Sequence, residues 1–278
     1  SLSLLSSVCV RPSSNLASHH IASSLIAFPS LLPPNSHQPT LTMSKPRNYS
    51  KKNQKNRSNA NNISLVRNNI FSVDPMKPPL LIIASVGNPE NQFGLTRHNA
   101  GHIILNCLRN LYNYPFFTKL NGYRNGVVSK LDTPSSSNMI FYKSTNFMNE
   151  SAKSFSDQIP YLAALSNSAY NNAYNICLIV IHDELSLPSG KIQIRKRFSS
   201  ARGHNGLKSI QASNIGASFV PISIGIGRPD SRDPDVVSRY VLSNFTQPEL
   251  MRLNQTASQL YQFIEEMKMG KYVYDENR

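Results

Sequence analysis

The chain is short of acid. Against 29 Lys and Arg it carries only 15 Asp and Glu, giving a net charge of +14, and the first acidic residue is Asp74. It has no tryptophan and only three cysteines, Cys9, Cys107 and Cys177. Their wide spacing excludes a disulfide framework and a cysteine-based metal site as sequence readings, and the latter two sit in apolar runs, as packing residues of a reducing compartment would. No apolar run approaches the roughly 18 residues of a membrane span. There is no G-x-S-x-G elbow and no G-x-x-x-x-G-K-[ST] phosphate loop, and "GIGRPD" lacks the third glycine and the strand-turn-helix setting of a dinucleotide fingerprint. These absences remove serine hydrolases, P-loop enzymes and dinucleotide enzymes from consideration.

Residues 1–73 hold eight Lys and Arg with no acid, many Ser, Asn and Pro, and no sustained apolar periodicity. Such a stretch cannot bury enough surface to offset chain entropy, so residues 1–77 are expected to be a disordered basic leader. An acid-free, Ser-rich, basic leader fits a mitochondrial transit peptide. Met43, followed by "SKPRNYSKKNQKNR", offers a second start, which would leave a basic tail on a cytoplasmic protein.

From Pro78 onward the pattern changes, and 78–278 is read as one domain. Residues 80–86, 139–143, 176–182 and 222–226 read as strands, the first and third apolar on both faces as central strands are. The run 191–195 alternates and is expected to be half exposed. Helices are expected after Asn99, from Ser151 with a disturbance at Pro160, from Asp233 as N-cap, and from Thr246 with Leu250, Leu253, Ala257, Leu260, Ile264 and Met267 on one face. Residues 133–138 read as a surface loop. The alternation implies an α/β fold with a largely parallel sheet and helices on both faces.

Polar residues cluster where the strands end, and in open α/β sheets sites form beyond the carboxyl ends of strands. Asn88, Asn149 and Asp183 follow the first three strands, which would bring them to one rim, and Asn205 opens a helix between two glycines. No nucleophilic side chain lies among them. Any hydrolysis would therefore use water, with histidine taking its proton, a carboxylate fixing the imidazole, and amides holding a carbonyl or oxyanion. Each residue also has a plainer reading, as a cap or turn. His102 is expected on a helix surface and His182 as a structural residue at a strand end.

Residues 185–229 contain no acid but seven basic residues, among them Arg195, Lys196, Arg202 and Lys208. Bracketing Asn205, this run is expected to place a polyanion beside the site, held through its phosphates.

The blocks "VGNPENQFGLTRHNAG", "FMNESAKS", "VIHDELSLPSGKIQIR" and "RGHNGLKSI", then "IGIGRP" and "YVLSNF", stand in the order and spacing of bacterial-type peptidyl-tRNA hydrolases, over residues 80 to about 268. The chain resembles that family, with features of its fungal and organellar members. The resemblance implies a monomeric, metal-free and cofactor-free enzyme with a mixed, mostly parallel, twisted central sheet. It implies hydrolysis of the ester between a peptide and the tRNA 3′-ribose, which recycles tRNA during translation, with peptidyl-tRNA as partner, the ribosome as an associate and no membrane. By motif position His98 resembles the catalytic base, Asp183 its supporting acid, and Asn88 the asparagine that separates peptidyl from aminoacyl substrates. Asn149 and Asn205 resemble the amides that hold substrate and water; Met148 lies in the same motif and Phe93 where a tyrosine usually contacts the tRNA end. The chain departs from the pattern at Phe93, and at Glu90, Ala152 and Arg202, where the family favours glycine. The competing expectation is a non-catalytic RNA-binding relative, such as an organellar splicing factor on the same scaffold.

Overall fold

The computed structural model describes residues 74, 76–131 and 138–274; the leader up to Val73 and most of the 133–138 loop lie outside the described residues. Seven strands form one sheet in the order β2-β3-β4-β1-β5-β7-β6. These are β1 (Pro79–Ser85), β2 (Thr118–Lys119), β3 (Gly126–Ser129), β4 (Met139–Ser144), β5 (Asn175–Glu184), β6 (Ile192–Ile194) and β7 (Val220–Gly225). The central strands β4, β1, β5 and β7 run parallel, while β2, β3 and β6 pair antiparallel at the edges. The sheet is thus mixed and mostly parallel.

The helices are α1 (Glu90–Phe93), α2 (Ala100–Leu111), α3 (Ser151–Ala169), α4 (Asn205–Gln211), α5 (Pro234–Leu242) and α6 (Gln247–Lys268). Period-2 alternation divides β1 between two apolar layers. Leu81 and Ile83 pack with Ile103, Leu108, Leu253 and Ile264 of α2 and α6. Leu80, Ile82 and Ala84 pack with Phe155, Ile159, Leu207 and Ile210 of α3 and α4. Burial on both faces explains why β1 and β5 read as unbroken hydrocarbon.

Helix ends follow their capping residues. Asp233 accepts from the backbone N–H of Asp235 and Val236, with Pro234 next in line, and Thr246 forms a reciprocal capping box with Glu249. The disturbance expected at Pro160 does not interrupt the helix: α3 is continuous through it. Proline deprives the Ser156 carbonyl of its helical donor, and Asn214 Nδ2 supplies a replacement at 3.1 Å. The short strands β2 and β3 were not expected from sequence. They exist because β4 offers an open edge, to which only a few residues pair.

Two further expectations change. β5 continues to Glu184, so Asp183 lies within the ladder, opposite Ile224, and not beyond the strand. His102 is buried rather than on a helix surface: its Nδ1 is 2.7 Å from Ser85 Oγ, and its ring sits where a side chain on Gly87 would be. Burial pushes that imidazole down to about 3. His182 is likewise buried, bonded to the Asp183 carbonyl and close to Ser223 Oγ, and burial pushes it down to about 3.

Candidate active site

The parallel order β4-β1-β5 brings the segments after these strands to one rim of the sheet. After β1, Gly87 and Asn88 turn the chain into α1, and a single 3-10 turn, Arg97–Asn99, then leads into α2. Gly101 allows α2 to start close to the sheet, because a Cβ there would lie 2.6 Å from the Ile181 carbonyl oxygen and 3.0 Å from that of Val86. That approach carries His98, just before the helix, over the end of β5.

His98 Nδ1 is 2.9 Å from Asp183 Oδ1. The same oxygen is 2.9 Å from Nε2 of His204, the N-cap of α4. An ionised carboxylate only accepts, so both nitrogens donate to it. Burial alone would raise the carboxyl of Asp183, but the two imidazoles outweigh it and hold the group well below the ordinary carboxylate range. Burial pulls His98 down, the Asp183 charge and hydrogen bond push it up, and the result lies above the ordinary histidine value. With Nδ1 engaged, Nε2 is the nitrogen left for chemistry, and the side chain keeps 16% of its surface accessible.

The amides divide into two kinds. Asn88 is buried and spends its Oδ1 on the Met148 N–H at 2.9 Å, joining the segment after β1 to the one after β4. Met148 is buried, whereas Asn149, in the 3-10 turn Met148–Glu150, and Asn205, the first residue of α4, are both exposed. That turn packs on α4, and Ser209 Oγ accepts from the Ala152 N–H at 3.0 Å, so the two exposed amides belong to one packed unit. Phe93 is partly buried in edge contact with Phe147, ring centroids 6.3 Å apart, and Phe147 is itself exposed.

The basic run is arranged differently from the expectation. β6 is antiparallel to β7 and leads the chain away from the rim, so the Arg195 N–H bonds Pro221 O, three residues below the level of Ile224 and Asp183. At 3.3 Å per residue this is roughly 10 Å from the site's level. Arg195 is also only 7% accessible, and its Nη1 donates to the Ser200 carbonyl. It orders the return loop and is no part of an open basic face. Lys196, Arg202 and Lys208 are exposed, and Arg202 donates to Gln193 Oε1 of the edge strand. Of the exposed cations, Lys196 follows β6, while Arg202 and Lys208 stand on either side of the start of α4.

Three residues of the site escaped the sequence reading. His204 was legible only as a histidine preceding a helix-opening Asn-Gly. Asn99 accepts from the Asn88 N–H and donates to the Asn88 carbonyl. Arg97 forms a two-bond pair with Glu249 and also donates to Ser243 and Asn244, tying the His98 turn to the start of α6. The crowded polar segment after β1 thus sets an accessible histidine, His98, between two scaffolding residues, Arg97 and Asn99.

His98, Asp183 and His204 also form a group whose potential ligand atoms lie within 4.8 Å of one another. As placed, both nitrogens are engaged in hydrogen bonds to the one shared oxygen. Among the described residues no helix is long and apolar enough to cross a membrane.

The family model described as peptidyl-tRNA hydrolase matches residues 82–275. A peptidyl-tRNA hydrolase of Rickettsia peacockii (strain Rustic) is 33% identical over 181 residues, covering 65% of this chain and 91% of that protein. One from Rickettsia canadensis (strain McKiel) is 36% identical over 173 residues, 61% of this chain and 83% of its own length. The crystal structure of peptidyl-tRNA hydrolase from Acinetobacter baumannii superposes with a TM-score of 0.52 at 25% identity, over 72% of this chain and 97% of that one. The family model spans most of the chain and the relatives match along nearly their whole length, so the chain belongs to the peptidyl-tRNA hydrolase family, enzymes that hydrolyse an ester bond.

Proposed function

We propose that the chain cleaves the ester between a peptide and the tRNA 3′-ribose with His98 as general base. The observation that carries this reading is the 2.9 Å contact between His98 Nδ1 and Asp183 Oδ1 at the carboxyl rim of the sheet. It fixes the tautomer in which Nε2 holds a lone pair, and it stabilises the imidazolium formed when that nitrogen accepts a proton.

In the proposed reaction His98 Nε2 removes a proton from water as the water oxygen attacks the ester carbonyl. The carbonyl π electrons move to oxygen, and the exposed amides of Asn149 and Asn205 donate to the developing charge and hold the substrate. Collapse breaks the bond to the ribose 3′-oxygen, which takes the proton from the imidazolium; peptide acid and tRNA leave. Asn88 acts mainly through its bond to Met148, which sets the width of the cleft between the segments after β1 and β4. Phe93 offers a ring, without a hydroxyl, to the tRNA end.

Lys196, Arg202 and Lys208 hold phosphates of the tRNA body, since exposed cations near an ester site suit a polyanion carrying that ester. The last residues of the leader belong with the domain, since Asn175 bonds Asp74 and Lys77.

The test is release of N-acetylated amino acid from tRNA by the full chain, beside unblocked aminoacyl-tRNA and the His98→Ala variant, with and without chelator. Release from the blocked substrate should fall about 10²- to 10⁴-fold in kcat on loss of the base, with tRNA binding retained. Binding without release by the parent chain would overturn the reading in favour of a non-catalytic RNA-binding relative.

A further inference from the structure

His204 has a feature that the reaction above does not use: both of its ring nitrogens are committed. Nε2 faces Asp183 Oδ1 at 2.9 Å, and Nδ1 accepts the Leu207 N–H of the first turn of α4 at 3.2 Å. A nitrogen that accepts a backbone N–H carries no proton. The imidazole is therefore fixed in its Nε2–H tautomer by a main-chain group, and it is neutral in this geometry. Its side chain is 8% accessible, and its ring packs edge-on against the buried His182, centroids 4.8 Å apart.

We infer that His204 is a positioning residue, a tautomer-locked neutral donor that shares the Asp183 oxygen with His98, limits how much of the carboxylate charge reaches the base, and ties the start of α4 to the catalytic pair. The inference builds on the proposed reaction but concerns a separate property. Its physical basis is that one carboxylate oxygen serves two N–H groups. A hydrogen bond from His204 draws electron density on Asp183 away from His98, and the imidazolium of His98 is stabilised less than by an unshared carboxylate. A general base works best when its proton affinity matches the working pH, so a moderated carboxylate keeps more of His98 in the reactive neutral form.

A second consequence follows from the chain. His204 immediately precedes Asn205, one of the exposed amides, so the bond to Asp183 also fixes where α4 begins. The charged and titratable groups around the pair are limited. Asp183 and His182 come from β5 and His204 from the α4 cap, and the field of Arg195, beyond β6, reaches His182. The shared Asp183 oxygen is bonded directly by His98 and His204.

The experiment combines imidazole nitrogen NMR of the full chain with pH profiles of kcat/KM. In the parent protein His204 should show a protonated Nε2 and an unprotonated Nδ1 at pH 8; the opposite tautomer would overturn the inference. His204→Asn retains a good N-cap while removing the imidazole. If His204 matters through Asp183, the NMR midpoint of His98 rises in this variant, the acid limb of kcat/KM moves up with it, and activity at pH 7 falls several-fold more than at pH 9. If His204 is merely a cap, His204→Asn leaves the His98 midpoint where it was, and the inference fails. His204→Ala, which loses cap and donor together, should raise the midpoint in the same direction and also lower thermal stability. Should the parent chain hydrolyse no ester, the proposed function falls, while the tautomer and the His98 midpoint still decide this inference.

Discussion

Asn99 holds Asn88 by both of its main-chain groups: Oδ1 accepts the Asn88 N–H at 2.8 Å and Nδ2 donates to the Asn88 carbonyl at 2.9 Å. The pairing is cyclic, buried, and bridges the loop after β1 to the start of α2. It resembles one rung of a sheet built from a side chain, and it leaves the Asn88 side chain to bond Met148.

Replacing Asn99 by Ala strands a buried donor and acceptor together. The expected cost is about 2–4 kcal/mol, from roughly 1–3 kcal/mol per unsatisfied group with partial relaxation. Asn99→Asp should cost as much or more, because a carboxylate oxygen would face the Asn88 carbonyl. Urea unfolding measures both; a loss under 1 kcal/mol in each would show that water replaces the amide.

The pH dependence follows from the direction of the His98 shift. In the proposed reaction His98 acts when neutral, and its protonated form is stabilised in the folded protein, so kcat/KM should fall as pH drops through a midpoint above the ordinary 6.5. For stability the same raised value means that the His98 contribution is complete below 6.5 and is lost as pH rises through the folded midpoint. His102 and His182 act in the opposite sense. Both are pushed down to about 3, so their contribution is present above 6.5 and is lost as pH falls from there toward 3, at about 1.4 kcal/mol per pH unit each. Denaturant midpoints at pH 7.5, 5.5 and 4.5 should fall steeply; a flat series would mean that the two rings are hydrated.

Charge removal separates Arg195 from its neighbours. Lys196→Ala, Arg202→Ala and Lys208→Ala should each weaken tRNA binding and reduce the slope of log K against log salt by about 1 per lost phosphate contact. Arg195→Ala should chiefly lower stability, since its guanidinium is buried against the return loop. A full unit of salt slope lost at Arg195 would place it on the tRNA after all.

Gly101→Ala tests how closely α2 must approach the sheet. Its Cβ would meet two backbone carbonyl oxygens, that of Ile181 in β5 and that of Val86 just after β1, so the helix has to move outward. Overpacking of this kind costs about 1–3 kcal/mol. Because His98 precedes the same helix, kcat should fall more than the population of folded protein does. Activity that tracks stability alone would show that the His98 turn moves independently of α2.

Much of this was open to a linear reading because it depends on short-range rules. Two-faced hydrocarbon runs mark β1 and β5 as central strands, caps at Asp233 and Thr246 locate the starts of α5 and α6, and three parallel strands with polar residues at their carboxyl ends imply one rim with Asn88, Asn149 and Asp183 near it. Other features depend on which distant segments meet. Pro160 reads as a disturbance of α3 until Asn214 satisfies the carbonyl it frees; Arg195 reads as a surface cation until the direction of β6 buries it; His102 reads as a surface histidine until Gly87 and Ser85 enclose it. His204 is the clearest case. Its residue type and place before a helix are local facts, but its bond to Asp183 exists only because α4 returns to the end of β5, and a hydrogen bond across 21 positions leaves no mark on the periodicity of either segment.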